Sequence, residues 1–181
     1  KQHVQGLNPH VEVVTHRLRL TAGNALEILS QYDLVLDGAD NFATRYLVSD
    51  AAEILGIPCI WGSILQLEGQ VSVFWRGHGP TYRDVFPEPP EPGEVPSCAQ
   101  AGVLGVLPGQ IGTLMAAEAI KLVTGIGAPL LGRLLLFDAL QARWREMRVV
   151  ADPGRPAVTA LMADYPAFCG LAQAGVQIGR L

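Results

Sequence analysis

A short acidic turn between an apolar run and an amphipathic helix constrains the fold of this chain more than any other sequence feature. The run 34–36 is unbroken, as expected of a strand that is buried on both faces of a parallel sheet. Asp37, Asp40 and Asn41 follow it, and either Asp40 or Asn41 is a suitable N-cap for a helix. Apolar residues then recur on one helical face, at Leu47, Ala51, Ile54 and Leu55. The sequence therefore predicts a parallel strand that leads directly into a helix.

Polar side chains at such a junction are suited to bind a ligand, because ligands of open α/β sheets lie in the crevice outside the carboxyl ends of the strands. Asn41 and Arg45 are one helical turn apart and share a face of the predicted helix. A carboxylate, an amide and a guanidinium would then converge on one spot, which suits Mg²⁺ with a polyphosphate. The alternative interpretation is that the Asp, Asn and Gly residues of this turn only cap the helix.

The rest of the hydrophobic pattern predicts a mixed sheet. The predicted strands are 11–18, 59–62, 68–75, 133–137 and 143–150, and the predicted further helices are 25–30 and 109–124. The strand 68–75 alternates apolar and polar residues, so we expect it to be half-solvated. The early strands alternate with helices, whereas the later strands follow one another directly. An α/β fold with a parallel first part and an antiparallel second part is therefore expected.

Composition excludes several classes of protein. Hydrophobic residues make up 49% of the 181-residue chain and charged residues 17%, so a folded core is expected. The net charge is −4 and no basic run occurs, which argues against nucleic-acid binding. The most apolar stretch, 101–123, is interrupted by Pro108, Gln110 and Glu118, so no membrane association is predicted. Three cysteines without framework spacing are typical of the reducing cytoplasm.

Cys98 is a further candidate functional residue. It precedes an apolar, glycine-rich segment that is suited to begin a helix, and a thiol at a helix N-terminus has a lowered pKa and becomes nucleophilic. The alternative is a buried structural cysteine, which is also the interpretation for Cys59.

Five motifs occur in one order along the chain and together point to a family. They are D-G-A-D-N-x3-R from Asp37, E-G-Q from Glu68, Y-R-D-x-F-P-E-P-P from Tyr82, V-P-S-C-A from Val95 and E-A-I-K from Glu118. This combination lies within residues 8–150 and resembles the molybdopterin-synthase adenylyltransferase/ThiF family, whose fold is that of ubiquitin-activating enzymes. The resemblance implies a Rossmann-like mixed sheet with helices on both faces. It also implies adenylation, with ATP and Mg²⁺, of the C-terminal glycine of a small ubiquitin-like sulfur carrier protein.

The resemblance further implies a role for each matching residue. Asp40 corresponds to the catalytic acid associated with Mg²⁺ and ATP, and Asn41 and Arg45 correspond to its neighbours in the nucleotide site. Cys98 corresponds to a cysteine that bonds covalently to the activated carrier in some members and is dispensable in others. The implied partners are a sulfur carrier of molybdopterin, thiamine or cysteine sulfur transfer, a second copy of the chain in a homodimer, and a rhodanese-type sulfurtransferase.

The chain departs from the family pattern at three places. It opens on Lys1 and has no glycine-rich phosphate loop, so we expect an N-terminally truncated form that lacks the first strands and the nucleotide loop. Such a form should bind ATP weakly or not at all. It has no CxxC pair, so no structural zinc is expected. The segment 164–170 resembles the linker of zinc-free members that are fused to a rhodanese-like domain. We therefore predict that 1–150 is the C-terminal portion of an adenylating domain and that 151–181 is a linker.

Two alternative functions follow from these departures. A truncated chain that keeps carrier binding or dimerisation without turnover is a non-catalytic module. A dinucleotide-dependent oxidoreductase is disfavoured, because neither the GxGxxG fingerprint nor the acid about 20 residues beyond it occurs.

Overall fold

The computed structural model describes residues 1–91, 94 and 102–170. The helices of this part are α1 (Gln2–Leu7), α2 (Ala25–Leu29), α3 (Phe42–Leu55), α4 (Tyr82–Val85), α5 (Leu107–Thr124) and α6 (Tyr165–Phe168). The strands are β1 (Val35–Asp37), β2 (Cys59–Leu65), β3 (Glu68–Phe74), β4 (Arg133–Asp138) and β5 (Arg143–Arg148). None of these helices is long and apolar enough to cross a membrane.

The five strands form one mixed sheet in the order β1-β2-β3-β4-β5. Strand β1 is parallel to β2, and each later strand is antiparallel to its neighbour. Asp37 pairs with Trp61, and Glu68 pairs with both Leu65 and Asp138. The acidic turn that follows β1 therefore lies at the same end of the sheet as the β2–β3 hairpin. The predicted change from parallel to antiparallel pairing is confirmed.

Helices cover both faces of the sheet, as predicted. On one face, α2, α3, α4 and α6 enclose a core that includes Tyr46, Trp61, Phe74 and Tyr82. On the other face, α5 packs Leu107, Ile111 and Met115 against β2 and β3. Because β3 is covered from both sides, Val71, Ser72 and Val73 are completely buried. The prediction of a half-solvated strand at 68–75 was therefore wrong.

Two predictions for the first part of the chain were also wrong. Residues 11–18 form no strand, and Val11, Val14 and Leu18 are exposed. In the described part of the chain β1 is an edge of the sheet, and residues 11–18 do not pair with its open side. The run 34–36 is not buried on both faces, since Leu36 is 45% exposed. The cause is that α5 packs over β2 and β3, which leaves that face of β1 open.

The segment 151–170 packs against α3, although the sequence indicated no helix partner for it. Tyr165 is buried and its hydroxyl donates to Asp50 Oδ2 at 2.8 Å. Arg155 donates to Asp84 Oδ1 at 2.8 Å and to both oxygens of Glu53 at 3.1 Å. The acids on α3 and α4 are buried, and buried charges require partners of this kind. The prediction that 151–170 has no packing partner was therefore wrong. The domain boundary at residue 150 stays a prediction.

Candidate active site

The acidic turn presents two adjacent polar side chains at the start of α3. Asn41 is the N-cap, and its Oδ1 accepts the backbone N–H of Thr44 at 2.8 Å. Its Nδ2 donates to Asp40 Oδ1 at 3.1 Å. Both side chains are exposed. The N-cap prediction is confirmed for Asn41, and the same amide that caps the helix also orients the carboxylate of Asp40.

Asp37 lies beneath this turn and is only 4% exposed. Its Oδ1 accepts the backbone N–H of Ala39 at 2.9 Å, whereas its Oδ2 has no hydrogen-bond partner in the described part of the chain. Burial raises the pKa of the Asp37 carboxyl, and the Ala39 N–H and the positive charge of Arg45 only partly offset that effect. The sequence placed Asp37 in the turn but indicated no separate role for it. No local signal distinguished this buried acid from the exposed Asp40.

Arg45 points into the protein instead of toward solvent. Its side chain is largely buried, and its Nε donates to the carbonyl of Ala39 at 3.1 Å. The guanidinium carbon lies 5.3 Å from the ring centre of Phe42 and 5.9 Å from that of Trp61, within the range of cation–π attraction. The structure therefore brings Asp40 and Asn41 together at the surface but places the guanidinium below them. The expected convergence of the three groups on one spot stays a prediction, as does a direct contact of Arg45 with a nucleotide.

The exposed Asp40 carboxylate fits the requirements of a shared Mg²⁺ ion. In the described part of the chain its Oδ1 accepts a hydrogen bond from Asn41 and its Oδ2 accepts none, which leaves Oδ2 available as a metal ligand. No group of three or more His, Cys, Asp or Glu side chains in the described residues is arranged to hold a metal. Mg²⁺ normally binds through one or two carboxylates together with substrate phosphates. Asp40 is thus suited to a metal that arrives with a nucleotide.

The cysteines divide into two described residues and one outside the described part. Cys98, the predicted nucleophile, lies outside the described residues, so its role stays a prediction. Cys59 is a buried core residue, as predicted, and burial raises the pKa of its thiol well above the usual value. Burial also raises the pKa of Cys169, despite the opposing charge of Arg83. Neither described thiol has the lowered pKa of a reactive cysteine.

Two of the motifs that carry the family resemblance have structural roles. In the Y-R-D motif, Arg83 donates to both carboxylate oxygens of the buried Asp50 at 2.8 Å. In the E-A-I-K motif, Glu118 accepts the backbone N–H of Leu130 at 2.7 Å and forms an ion pair with Lys121. Both contacts attach one part of the scaffold to another and lie outside the acidic turn.

Comparison with known proteins identifies the relatives of the chain. The family model described as the ThiF family matches residues 1–157. The chain is 52% identical over 175 residues to a probable adenylyltransferase/sulfurtransferase MoeZ of Mycobacterium tuberculosis, with 94% of this chain and 44% of that protein covered. It is 53% identical over 181 residues to a sulfur carrier protein adenylyltransferase of Thermus thermophilus, with 94% of this chain and 67% of that protein covered.

Solved structures agree on the fold. The crystal structure of E. coli MccB with ATP superimposes with a TM-score of 0.73 at 14% sequence identity, over 87% of this chain and 49% of that chain. At this identity the similarity establishes the fold alone. The chain spans less than half of MoeZ and of MccB, and about two thirds of the Thermus protein.

Proposed function

The chain belongs to the ThiF family, and from this premise we propose that it is part of an enzyme that uses ATP to adenylate the C-terminal glycine of a ubiquitin-like sulfur carrier protein. The observation that carries the proposal is the 53% identity to the Thermus protein, which is named a sulfur carrier protein adenylyltransferase. The MoeZ relative also has adenylyltransferase in its name. The exposed acid at the carboxyl end of β1 supports the same reaction class, because ligands of such sheets bind at that position.

In this reaction the carrier carboxylate forms a bond to the α-phosphorus of ATP, and the bond between that phosphorus and pyrophosphate breaks. Mg²⁺ supplies neutralisation of the negative charge on the phosphates. Asp40 would hold the metal through its exposed oxygen, and Asn41 orients Asp40 through its Nδ2–H. The protein contributes position and electrostatic stabilisation, which together account for most of the catalysis in phosphate chemistry of this kind.

The finer assignments form part of the same proposal. The Cys98 thiolate would attack the carbonyl carbon of the adenylated glycine, so that a thioester forms, the bond from that carbon to the AMP oxygen breaks and AMP leaves. A rhodanese-type sulfurtransferase would act with the enzyme, as the sulfurtransferase in the name of MoeZ suggests. The chain would function in the cytoplasm as a homodimer. The outer side of α5 is suited to the dimer contact, because Ile120 and Val123 are 56% and 73% exposed there.

Substitution of Asp40 in the complete gene product tests the proposed function. We expect the unaltered protein to catalyse carrier-dependent exchange between ATP and pyrophosphate in the presence of Mg²⁺. Asp40→Ala should abolish this exchange and leave the thermal unfolding temperature unchanged, since the side chain is exposed and forms no ion pair in the described part.

Asp33→Ala is a matched control, because Asp33 is an exposed acid at the opposite end of the same strand. It should retain full exchange activity. Near-normal exchange by Asp40→Ala would refute the role of Asp40. Absence of exchange in the unaltered protein with its carrier present would refute the proposed activity and favour a non-catalytic module.

A further inference from the structure

Two buried side chains hold the backbone of Ala39, one through its N–H and the other through its carbonyl. Asp37 Oδ1 accepts its N–H at 2.9 Å, and Arg45 Nε donates to its carbonyl at 3.1 Å. Asp37 is 4% exposed and Arg45 is 8% exposed. Ala39 directly precedes Asp40, so these two hydrogen bonds determine the path of the backbone into that residue.

The two supporting side chains are themselves fixed to regular elements. Asp37 is the last residue of β1 and pairs in register with Trp61 of β2. Arg45 is in the first turn of α3, and its guanidinium lies between the rings of Phe42 and Trp61. A site residue is held most precisely when its supports belong to strands and helices instead of loops.

Helix capping does not account for this arrangement. Asn41 already caps α3 through its own side chain, without help from Asp37 or Arg45. Burial of Asp37 and Arg45 requires desolvation of both side chains, which is costly unless hydrogen bonds replace those to water. A buried carboxylate and a buried guanidinium that bind the N–H and the carbonyl of the residue next to an exposed acid are instead expected where the direction of that acid matters.

We propose that Asp37 and Arg45 are positioning residues that fix the two peptide groups on either side of the Ala39 Cα atom and thereby direct the carboxylate of Asp40. This inference rests on the proposed function, in which Asp40 is the residue that touches the metal of the nucleotide. Arg45 then acts through the backbone and makes no contact with the phosphates. Asp37, which the sequence did not single out, becomes part of the support of the active site.

The first test measures the turn itself and needs neither nucleotide nor carrier. In the ligand-free protein, amide hydrogen exchange at Ala39, followed by NMR, should be at least about tenfold faster in Asp37→Ala than in the unaltered protein, because the N–H loses its acceptor. Asp37→Asn keeps an acceptor oxygen at the same place and should preserve the protection. Asp33→Ala should not change it. Equal protection in Asp37→Ala and the unaltered protein would overturn the positioning role.

The second test separates positioning from nucleotide binding. In the pyrophosphate exchange assay, Asp37→Ala and Arg45→Lys should each lower kcat by roughly ten- to hundredfold, as expected for a small displacement of a catalytic group. The KM for ATP should change by less than about threefold, and Asp37→Asn should restore most of the kcat. Arg76→Lys, a change of an exposed arginine, is the control for the arginine variant.

The two tests have distinguishable outcomes. A large rise in the KM for ATP with unchanged kcat in Arg45→Lys would show that Arg45 contacts the nucleotide, and would overturn the inference while leaving the proposed function in place. Absence of exchange in the unaltered protein would overturn the proposed function, and with it the catalytic purpose of the turn. Thermal unfolding of each variant shows whether a loss of activity reflects loss of the fold. If Asp37→Ala does not fold, the kcat and KM values of Asp37→Asn and Arg45→Lys test the positioning role.

Discussion

Single buried polar residues hold loops to the scaffold, and Glu118 is the best-defined example. It is completely buried on α5, and its Oε2 accepts the backbone N–H of Leu130 at 2.7 Å. Its ion-pair partner Lys121 donates in turn to the carbonyl of Ala128 at 3.0 Å. Together these contacts attach the turn after α5 to the helix, immediately before β4. Glu118 therefore helps to position the start of β4.

Removal of this acid should destabilise the chain measurably. Glu118→Ala leaves the buried Leu130 N–H without an acceptor, so the free energy of unfolding in urea should fall by about 1–3 kcal/mol. Glu118→Gln keeps an acceptor and should lose less. Glu27→Ala, an exposed glutamate on α2, should change the free energy by no more than about 0.5 kcal/mol. If the free energy of unfolding falls no more for Glu118→Ala than for Glu27→Ala, the contact with Leu130 contributes no stability.

At the scale of elements, the approach of α5 to the sheet depends on glycine. A Cβ atom at Gly62 of β2 would collide with the side chain of Met115 and lie 3.0 Å from Ile111 Cγ2. A Cβ at Gly69 of β3 would lie 2.5 Å from Ile111 Cδ1. Because Ile111 and Met115 are buried, they have little room to move. The G of the E-G-Q motif thus makes space for a helix instead of a ligand.

Substitution of glycine should have opposite effects on stability at the packed interface and on the exposed side of α5. Gly62→Ala overfills the interface and should lower the free energy of unfolding by about 1–3 kcal/mol. Gly112 lies on the exposed side of α5, where an added Cβ meets no atom within 4 Å. Gly112→Ala should therefore raise the free energy of unfolding by about 0.5–1 kcal/mol. Urea unfolding of the two variants side by side is the measurement. Equal effects of the same sign would contradict the packing argument.

Over the whole molecule, the segment 151–170 connects parts of the chain that are distant in sequence. Arg155 bridges Glu53 of α3 and Asp84 of α4, and Tyr165 reaches Asp50. Burial raises the pKa of Asp84, but hydrogen bonds from Arg155 and from backbone N–H groups outweigh it, and the net pKa is lowered. The pair is therefore ionised and stabilising at neutral pH. The segment behaves as part of the core that supports α3 and the acidic turn.

Loss of Arg155 should weaken this attachment more than loss of an unpaired surface arginine. Arg155→Met leaves the buried carboxylates of Glu53 and Asp84 without their cation, so the free energy of unfolding should fall by about 2–4 kcal/mol. This loss is somewhat smaller than for a fully buried ion pair, because Arg155 is partly exposed to solvent. Arg148→Met on the exposed strand β5 should have little effect. Similar unfolding free energies for the two variants would show that 151–170 is only loosely attached, as expected of a linker.

The sequence by itself determined the local features and the family. The N-cap at Asn41, the helix that follows, the change from parallel to antiparallel strands and the core position of Cys59 all follow from residue type and short-range spacing. These features depend on interactions between residues a few positions apart, which a linear pattern records directly. The ordered set of motifs added the family, and with it the interpretation of Asp40.

Only the tertiary structure decided which polar residues are buried and which segments find partners. Asp37 and Asp40 are alike in sequence, but register with Trp61 places the first in the core and leaves the second in solvent. Residues 11–18 have the alternation of a strand but no neighbour, whereas 151–170 lacks a pattern and still packs against α3. The physical reason is that burial and hydrogen-bond pairing depend on groups that are distant along the chain, and no local pattern contains them.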